Sequence, residues 1–293
     1  MKISGFTIIK NALLNDYPII EAITSILSVV DEMVVLIGDC DDGTKELIQS
    51  INDTKIKIYH SVWDTKTYTH GTVLAVETNK AFALIDPESD WAFYIQGDEA
   101  IHEKYSTTIK NACELYKNDN IVEGLLFKYL HFYGSYNYVG DSRKWYNKEV
   151  RIIRNDKKIQ SYKDAQGFRV AKRKLCVKEI DAFVYHYGWV RSPETILAKN
   201  IHLKDVWTNE AQTSQIVKLT AADLEHYFET FDSLEIFSGT HPNVWQQRIK
   251  NKNWEVNLDI SKKQFSLKNK VLYYFEKFTG IRLFDFRNYK IIK

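Results

Sequence analysis

Three apolar runs, at residues 3–9, 33–37 and 91–95, each break off into a polar cluster. The clusters are Lys10-Asn11, then Asp39 to Asp42, then Gln96 to Glu99. The run at 33–37 (Met-Val-Val-Leu-Ile) is uninterrupted, as in strands buried on both faces of a helix-covered parallel sheet. Between the runs, apolar residues return at helical spacing, for example Ile19, Ile20, Ala22, Ile23, Ile26 and Leu27 after Asp16-Tyr17-Pro18. Further strands are expected at 56–59, 122–130 and 182–187, and further helices at 72–84 and 103–117. This alternation predicts an α/β fold with a mostly parallel sheet flanked by helices. Ligands of such sheets bind beyond the carboxyl ends of the strands. The three clusters should therefore converge on one edge of the sheet although they are far apart in sequence.

The second half is less regular. Residues 149–170 read as a hairpin with a polar loop, and 192–204 and 210–230 as helices. A catalytic domain over 1–205 and a mainly helical extension over 206–293 are the expected division of the 293 residues. The stretch 261–293 holds nine Lys/Arg and two acids, interleaved with aromatics. It reads as a membrane-surface element or as a helix packing its aromatics on the domain.

Composition narrows the function. A net charge of +2 lacks the basic footprint of a dedicated nucleic-acid binder, so no nucleic-acid partner is expected. Cys40, Cys113 and Cys176 have no paired spacing, which fits neither a disulfide framework nor a zinc site and suits a reducing cytoplasm. No run of 18 apolar residues suggests a membrane span, and the N-terminus reads as a strand, not a signal peptide. The aromatic content of 14% suits stacking on sugars or bases, and equally a core.

The loop 38–45 is not a phosphate-binding P-loop: it reads Gly43-Thr44-Lys45 where Gly-Lys-Ser/Thr is required, and its acids repel phosphate. Such carboxylates suit hydrogen bonds to a base or ribose, or the cap of a helix. Asp98-Glu99 suits a hard divalent cation on a diphosphate, or again a helix start. His186, within Tyr185-His186-Tyr187-Gly188-Trp189, is a ligand or a satisfied core histidine. Asp164 is a general base or a turn carboxylate. Arg151, Arg154 and Arg169 are candidates to hold phosphate or sugar. His131 to Tyr136 either lines the acceptor side or ends a buried strand.

Residues 4–11 (SGFTIIKN), Asp41-Asp42-Gly43-Thr44 and Gln96-Gly97-Asp98-Glu99 resemble, in order and spacing, the motifs of family 2 glycosyltransferases of the glycosyltransferase A fold. The resemblance runs from residue 3 to about 190, and the stretches 164–169 and 186–189 resemble a bacterial branch. It implies a Rossmann-like sheet, a nucleotide-sugar donor (commonly a UDP-sugar) and inversion at the anomeric carbon. The acceptor would be a glycan or lipid-linked hydroxyl in cell-surface polysaccharide or lipopolysaccharide synthesis. The expected location is the cytoplasm, with peripheral contact at the inner face of the membrane. By the same mapping Asn11, Asp41, Asp42 and Gln96 contact the nucleotide. Asp98, Glu99 and His186 hold Mn²⁺ or Mg²⁺, and Asp164 is the catalytic base. Gln96 stands where the family has the first acid of its metal motif. Two other classes fit the pattern: a nucleotidyltransferase making a nucleotide-sugar, and a binding module that has lost catalysis.

Overall fold

A computed structural model describes residues 1–68, 70–202, 228 and 231–293. Strands β1 (Ile3–Ile9), β2 (Glu32–Ile37), β3 (Ile56–His60) and β4 (Trp91–Tyr94) form a parallel block in the order β3-β2-β1-β4. The crossovers carry α1 (Ile19–Ile26), α2 (Thr44–Gln49) and α3 (Thr72–Ala83). After β5 (Glu99–Ile101) and α4 (Ser106–Tyr116) the chain lays down β6 (Gly124–Tyr133), β7 (Tyr138–Gly140) and β8 (Lys148–Arg154).

The sheet is α/β as expected, and it is mixed beyond β4. Strand β8 runs antiparallel between β4 and β6. The strand expected at 182–187 is the end of a longer one, β11 (Arg173–Trp189), which runs parallel to β6. Of the hairpin expected over 149–170 only the second half is one, formed by β9 (Ile159–Tyr162) and β10 (Gly167–Val170) at the start of β11, while the first half is β8. Helix α5 (Pro193–His202) follows β11. The helix expected at 210–230 and the boundary at 205/206 lie outside the described residues, Phe228 apart. The described C-terminal part holds two α-helices, α6 (Gln246–Lys250) and α7 (Leu267–Thr279), and is otherwise largely irregular, less helical than expected. It also gives two short strands to the sheet: β12 (Leu234–Ile236) pairs with β7, and β13 (Tyr289–Ile291) with β11.

Alternation along the strands builds two cores, one on each face. Ile3, Ile9, Met33, Val35, Ile37, Trp91 and Phe93 pack on one side with Ala22, Ile23 and Ile26 of α1 and Ile109 of α4. Phe6, Ile8, Val34, Leu36, Ala92 and Tyr94 pack on the other with Val73, Ala81 and Phe82 of α3. Gly5 allows α1 to approach: a Cβ there would stand 2.7 Å from Met33 Sδ and 3.2 Å from Ile26 Cδ1. Much of the aromatic content lies in a third core, where Phe132 stacks on Tyr187 at 4.7 Å and Tyr187 on Trp245 at 4.2 Å. The segment 131–136 is a buried strand end, with His131, Phe132, Tyr133 and Tyr136 all buried. The three cysteines are free.

Candidate active site

The carboxyl ends of β1 and β4 open onto a cavity of about 280 Å³. Lys10 comes from the end of β1, Gln96, Gly97 and Asp98 from the end of β4, Trp63 from beyond β3, and Asp164 from the β9–β10 turn. Tyr17, Tyr146, His186 and Lys199 complete much of the remaining wall. Four of the eight residues to which the resemblance gives a role thus meet at one place: Gln96, Asp98, Asp164 and His186.

Strand register brings His186 there. Near its end β11 lies between β6 and β5, with His186 opposite His131 on one side and Glu99 on the other. Hydrogen bonding then sets the tautomers. His131 Nε2 meets the Tyr146 carbonyl at 2.7 Å, and a carbonyl only accepts, so that nitrogen carries hydrogen. Burial, and then His186, hold the His131 pKa well below the usual histidine range, so its Nδ1 is an acceptor. His186 Nδ1, at 3.1 Å, must therefore donate to it. Burial also lowers the His186 pKa, against the opposing pull of Asp98 and Glu99. The neutral ring leaves a lone pair on Nε2, 3.8 Å from Asp98 Oδ1.

A lone pair facing a carboxylate is a natural place for a cation. Adjacent nitrogen and oxygen ligands at about 2.1 Å from one ion stand about 3 Å apart, so the two atoms, 3.8 Å apart here, would draw together to share one. The volume beside both is kept clear by Gly188: a Cβ there would lie 2.8 Å from His186 Nε2 and 3.0 Å from Asp98 Oδ2. Among the described residues no group of three or more His, Cys, Asp or Glu side chains is placed to hold a metal. Asp98 and His186 therefore fit an ion such as Mg²⁺ or Mn²⁺ that takes its remaining ligands from water and substrate phosphate. Burial works to raise the Asp98 pKa, but His186, Lys199 and Arg191 outweigh it, so the carboxyl lies below its usual range. Lys199 Nζ is 3.8 Å from Asp98 Oδ2 and 4.5 Å from the Tyr17 ring centroid. Burial, then Arg191, bring its pKa down to about 8.

The other expected residues are placed elsewhere. Glu99 is fully buried, and its carboxylate takes Arg151 Nε at 2.9 Å, Arg151 Nη2 at 2.8 Å and the Tyr129 hydroxyl at 2.7 Å. It forms no part of the cavity wall, so the ligand role expected for it falls to a structural one. Asp42 fastens the turn before α2, accepting from Thr44 N and Oγ1 and from Leu14 N. Asp41 is exposed and lines neither this cavity nor the groove between the ends of β2 and β3. Asn11 has a left-handed backbone, φ 51°, and a buried Oδ1 without a hydrogen-bond partner, and it too is outside the cavity wall. The three arginines have structural partners: Arg151 binds Glu99, Arg154 binds carbonyls at the end of α4, and Arg169 binds the Asn288 carbonyl.

Position also brings in Asp39 and Lys10 of the strand-end clusters, and Trp63, for which the sequence offered no motif. Asp39 accepts from Lys10 Nζ at 2.7 Å and from Trp63 N at 3.2 Å, which ties the ends of β1, β2 and β3 together. Trp63 is buried, its indole Nε1 has no hydrogen-bond partner, and it lies on the cavity wall. Gly38 makes room for it, since a Cβ there would stand 2.7 Å from Nε1. Asp164 sits between Lys163 and Ala165, both left-handed at φ 56° and 61°. Both belong to the four-residue turn that joins β9 to β10.

Buried neutral histidines also make stability pH-dependent. His241 is held between the Tyr187 hydroxyl and the Tyr136 carbonyl, and burial brings its pKa from 6.5 down to about 4. The unfolded chain binds the proton first, so this stabilisation is complete above about pH 6.5 and is lost as pH falls toward 4. His131 acts in the same direction. The urea midpoint should therefore drop between pH 7.5 and pH 5, and a constant midpoint would contradict the buried neutral rings.

No protein-family model and no curated protein matches the chain. Among solved structures it is similar to S. aureus TarS 1–349 in complex with UDP, with 16% identity over 78% of each chain and a TM-score of 0.40. It spans 44% of a longer TarS chain. It is also similar to 4-diphosphocytidyl-2C-methyl-D-erythritol synthase from Anaerococcus prevotii, with 13% identity over 68% of this chain and 94% of that one, TM-score 0.40. A third likeness is to Mycobacterium tuberculosis glucosyl-3-phosphoglycerate synthase in complex with Mn²⁺, UDP and phosphoglyceric acid, with 15% identity over 44% of this chain and 43% of that one, TM-score 0.29.

Proposed function

We propose that this chain is an inverting glycosyltransferase of the family 2 type that uses a nucleotide-sugar, with UDP as the first nucleotide to test. The observation that carries the reading is the single cavity joining Asp98, the neutral His186, the clearance at Gly188 and the Asp164 turn. Asp39, Lys10 and the Trp63 indole stand at the neighbouring strand ends, where a base and ribose would lie. Gln96, whose amide donates to the Ala165 carbonyl at 3.4 Å, links that side to the Asp164 turn.

Asp164 takes the proton from an acceptor hydroxyl. The hydroxyl oxygen then bonds to the anomeric carbon from the face opposite the diphosphate. The bond from that carbon to the diphosphate oxygen breaks, and the nucleoside diphosphate leaves with the electron pair. Lys199 and Lys10 place positive charge on the cavity wall for the departing group. A divalent cation held by Asp98 and His186 would add Lewis-acid charge there. The acceptor proposed is a glycan or lipid-linked hydroxyl of cell-surface polysaccharide or lipopolysaccharide.

Calorimetric titration with UDP, with and without Mn²⁺, tests the site. Binding that requires Mn²⁺ and disappears in Asp98→Ala is the expected result, followed by UDP release from a UDP-sugar. Silence from UDP, GDP, CMP and dTDP alike would overturn the transferase reading. Pyrophosphate release from a nucleoside triphosphate and a sugar phosphate would replace it with nucleotidyl transfer.

A further inference from the structure

Helix α7 is amphipathic, and its faces are reversed relative to a helix that packs on a core. The polar face is the one held against the protein. Tyr273 is buried and donates to Asp141 Oδ2 at 2.5 Å, and Lys277 lies 3.6 Å from Asp141 and 3.2 Å from Glu235. Glu276 meets Arg143 at 2.7 Å and Arg282 at 3.4 Å. The apolar face points outward: Leu267 is 85% exposed and Phe278 88%, with Val271 and Phe275 between them at helical spacing. Just beyond the helix Phe284 is 88% exposed and Phe286 is exposed too, with Lys174 Nζ 5.6 Å from its ring. Phe284 has φ 55°, a left-handed backbone that bulky residues seldom adopt. Large apolar side chains scattered singly need no explanation, but a row of four on one face of α7 marks an interaction surface.

Charge selects what covers it. Of the nine Lys/Arg in 261–293, Lys262, Lys263, Lys277 and Arg282 are ion-paired, and Lys268, Lys270, Arg287, Lys290 and Lys293 are exposed with both local acids, Glu276 and Asp285, already paired with arginine. A second copy would bring two like-charged faces together. A surface with an apolar layer beneath anionic groups matches both properties: the ridge enters the acyl boundary, and Lys268 and Lys270 of the same helix meet the headgroups. At 13 residues α7 is roughly 20 Å long, suited to lying in the interface plane. Among the described residues no helix is long and apolar enough to cross a membrane. We propose that the apolar ridge of α7 and residues 284–286, with its basic rim, docks this chain on an anionic lipid surface.

The test is co-sedimentation of the full chain with phosphatidylcholine vesicles, with and without phosphatidylglycerol. Partitioning should require the anionic lipid and weaken with salt. Phe278→Ser with Phe284→Ser should lower the partition coefficient about tenfold or more. Lys268→Glu with Lys270→Glu should lower it about tenfold through charge alone. All four side chains are exposed, so the variants should keep the wild-type circular dichroism. Failure of the wild type to bind, or equal binding by both variants, would overturn the proposal. So would light scattering that shows a dimer dissociated by the serine variant, which would assign the ridge to contact between copies. None of these readouts involves turnover, so the transferase reading stands or falls separately.

Discussion

Asp98→Asn is expected to lower sugar transfer by about two to three orders of magnitude, the usual loss when charge stabilisation at a leaving group is removed. The change keeps the side-chain shape, and the Asp98 carbonyl still accepts from Tyr187 N at 2.8 Å, so the β5 region should hold. What disappears is the negative charge between His186 Nε2 and Lys199 Nζ, each 3.8 Å away. His186→Ala should cause a similar loss. If both side chains serve one ion, the double variant should be little worse than either single one, because groups acting as a unit are not additive. Gly188→Ala makes a sharper test, since it alters no charged or ligating group. It places a methyl 2.8 Å from His186 Nε2 and 3.0 Å from Asp98 Oδ2, and should reproduce much of the loss. Steady-state rates with a UDP-sugar, or Mn²⁺-dependent UDP affinity by calorimetry, decide it. Full activity in Asp98→Asn, or losses that simply multiply in the double variant, would remove the site from this position.

The parallel block was readable because its strands are buried on both faces, which leaves continuous apolar runs such as 33–37. Residues that end those strands were readable too: Gln96 and Asp98 follow β4 directly and face the cavity. Adjacency in sequence misleads at the next step. Glu99 opens β5, and its carboxylate is captured by Arg151, 52 residues later, a contact that no local pattern contains. Asp41-Asp42 looks like the functional pair of its loop, yet Asp42 is consumed by the α2 turn while Asp39, nearer the strand, meets Lys10 and Trp63. Lys199 and Trp63 had no motif at all. They reach the wall because α5 returns after the long β11 and because Gly38 leaves room for an indole.

Arg151→Met should destabilise the fold by ~3–5 kcal/mol, the cost of leaving a buried carboxylate without its partner. Arg151 and Glu99 are both inaccessible to solvent and are joined by two hydrogen bonds of 2.8 and 2.9 Å. The guanidinium also lies 5.3 Å from the Tyr129 ring and 5.5 Å from the Tyr94 ring, and it donates to the Gln166 carbonyl at 3.3 Å. The pair therefore joins β8, the start of β5 and the turn that carries Asp164. The destabilisation comes from the charge left behind more than from the bond lost, which gives a prediction in the opposite direction. Adding Glu99→Met to Arg151→Met should recover a substantial part of the loss, because no buried charge then remains unpaired. The Tyr129 hydroxyl and Gln96 N both donate to Glu99 and would lose that acceptor, so recovery should stop short of wild type. Urea unfolding of the two variants measures both terms. A loss below ~1 kcal/mol in Arg151→Met, or a double variant less stable than the single one, would mean that the ion pair is not the brace placing Asp98 and Asp164 around one cavity.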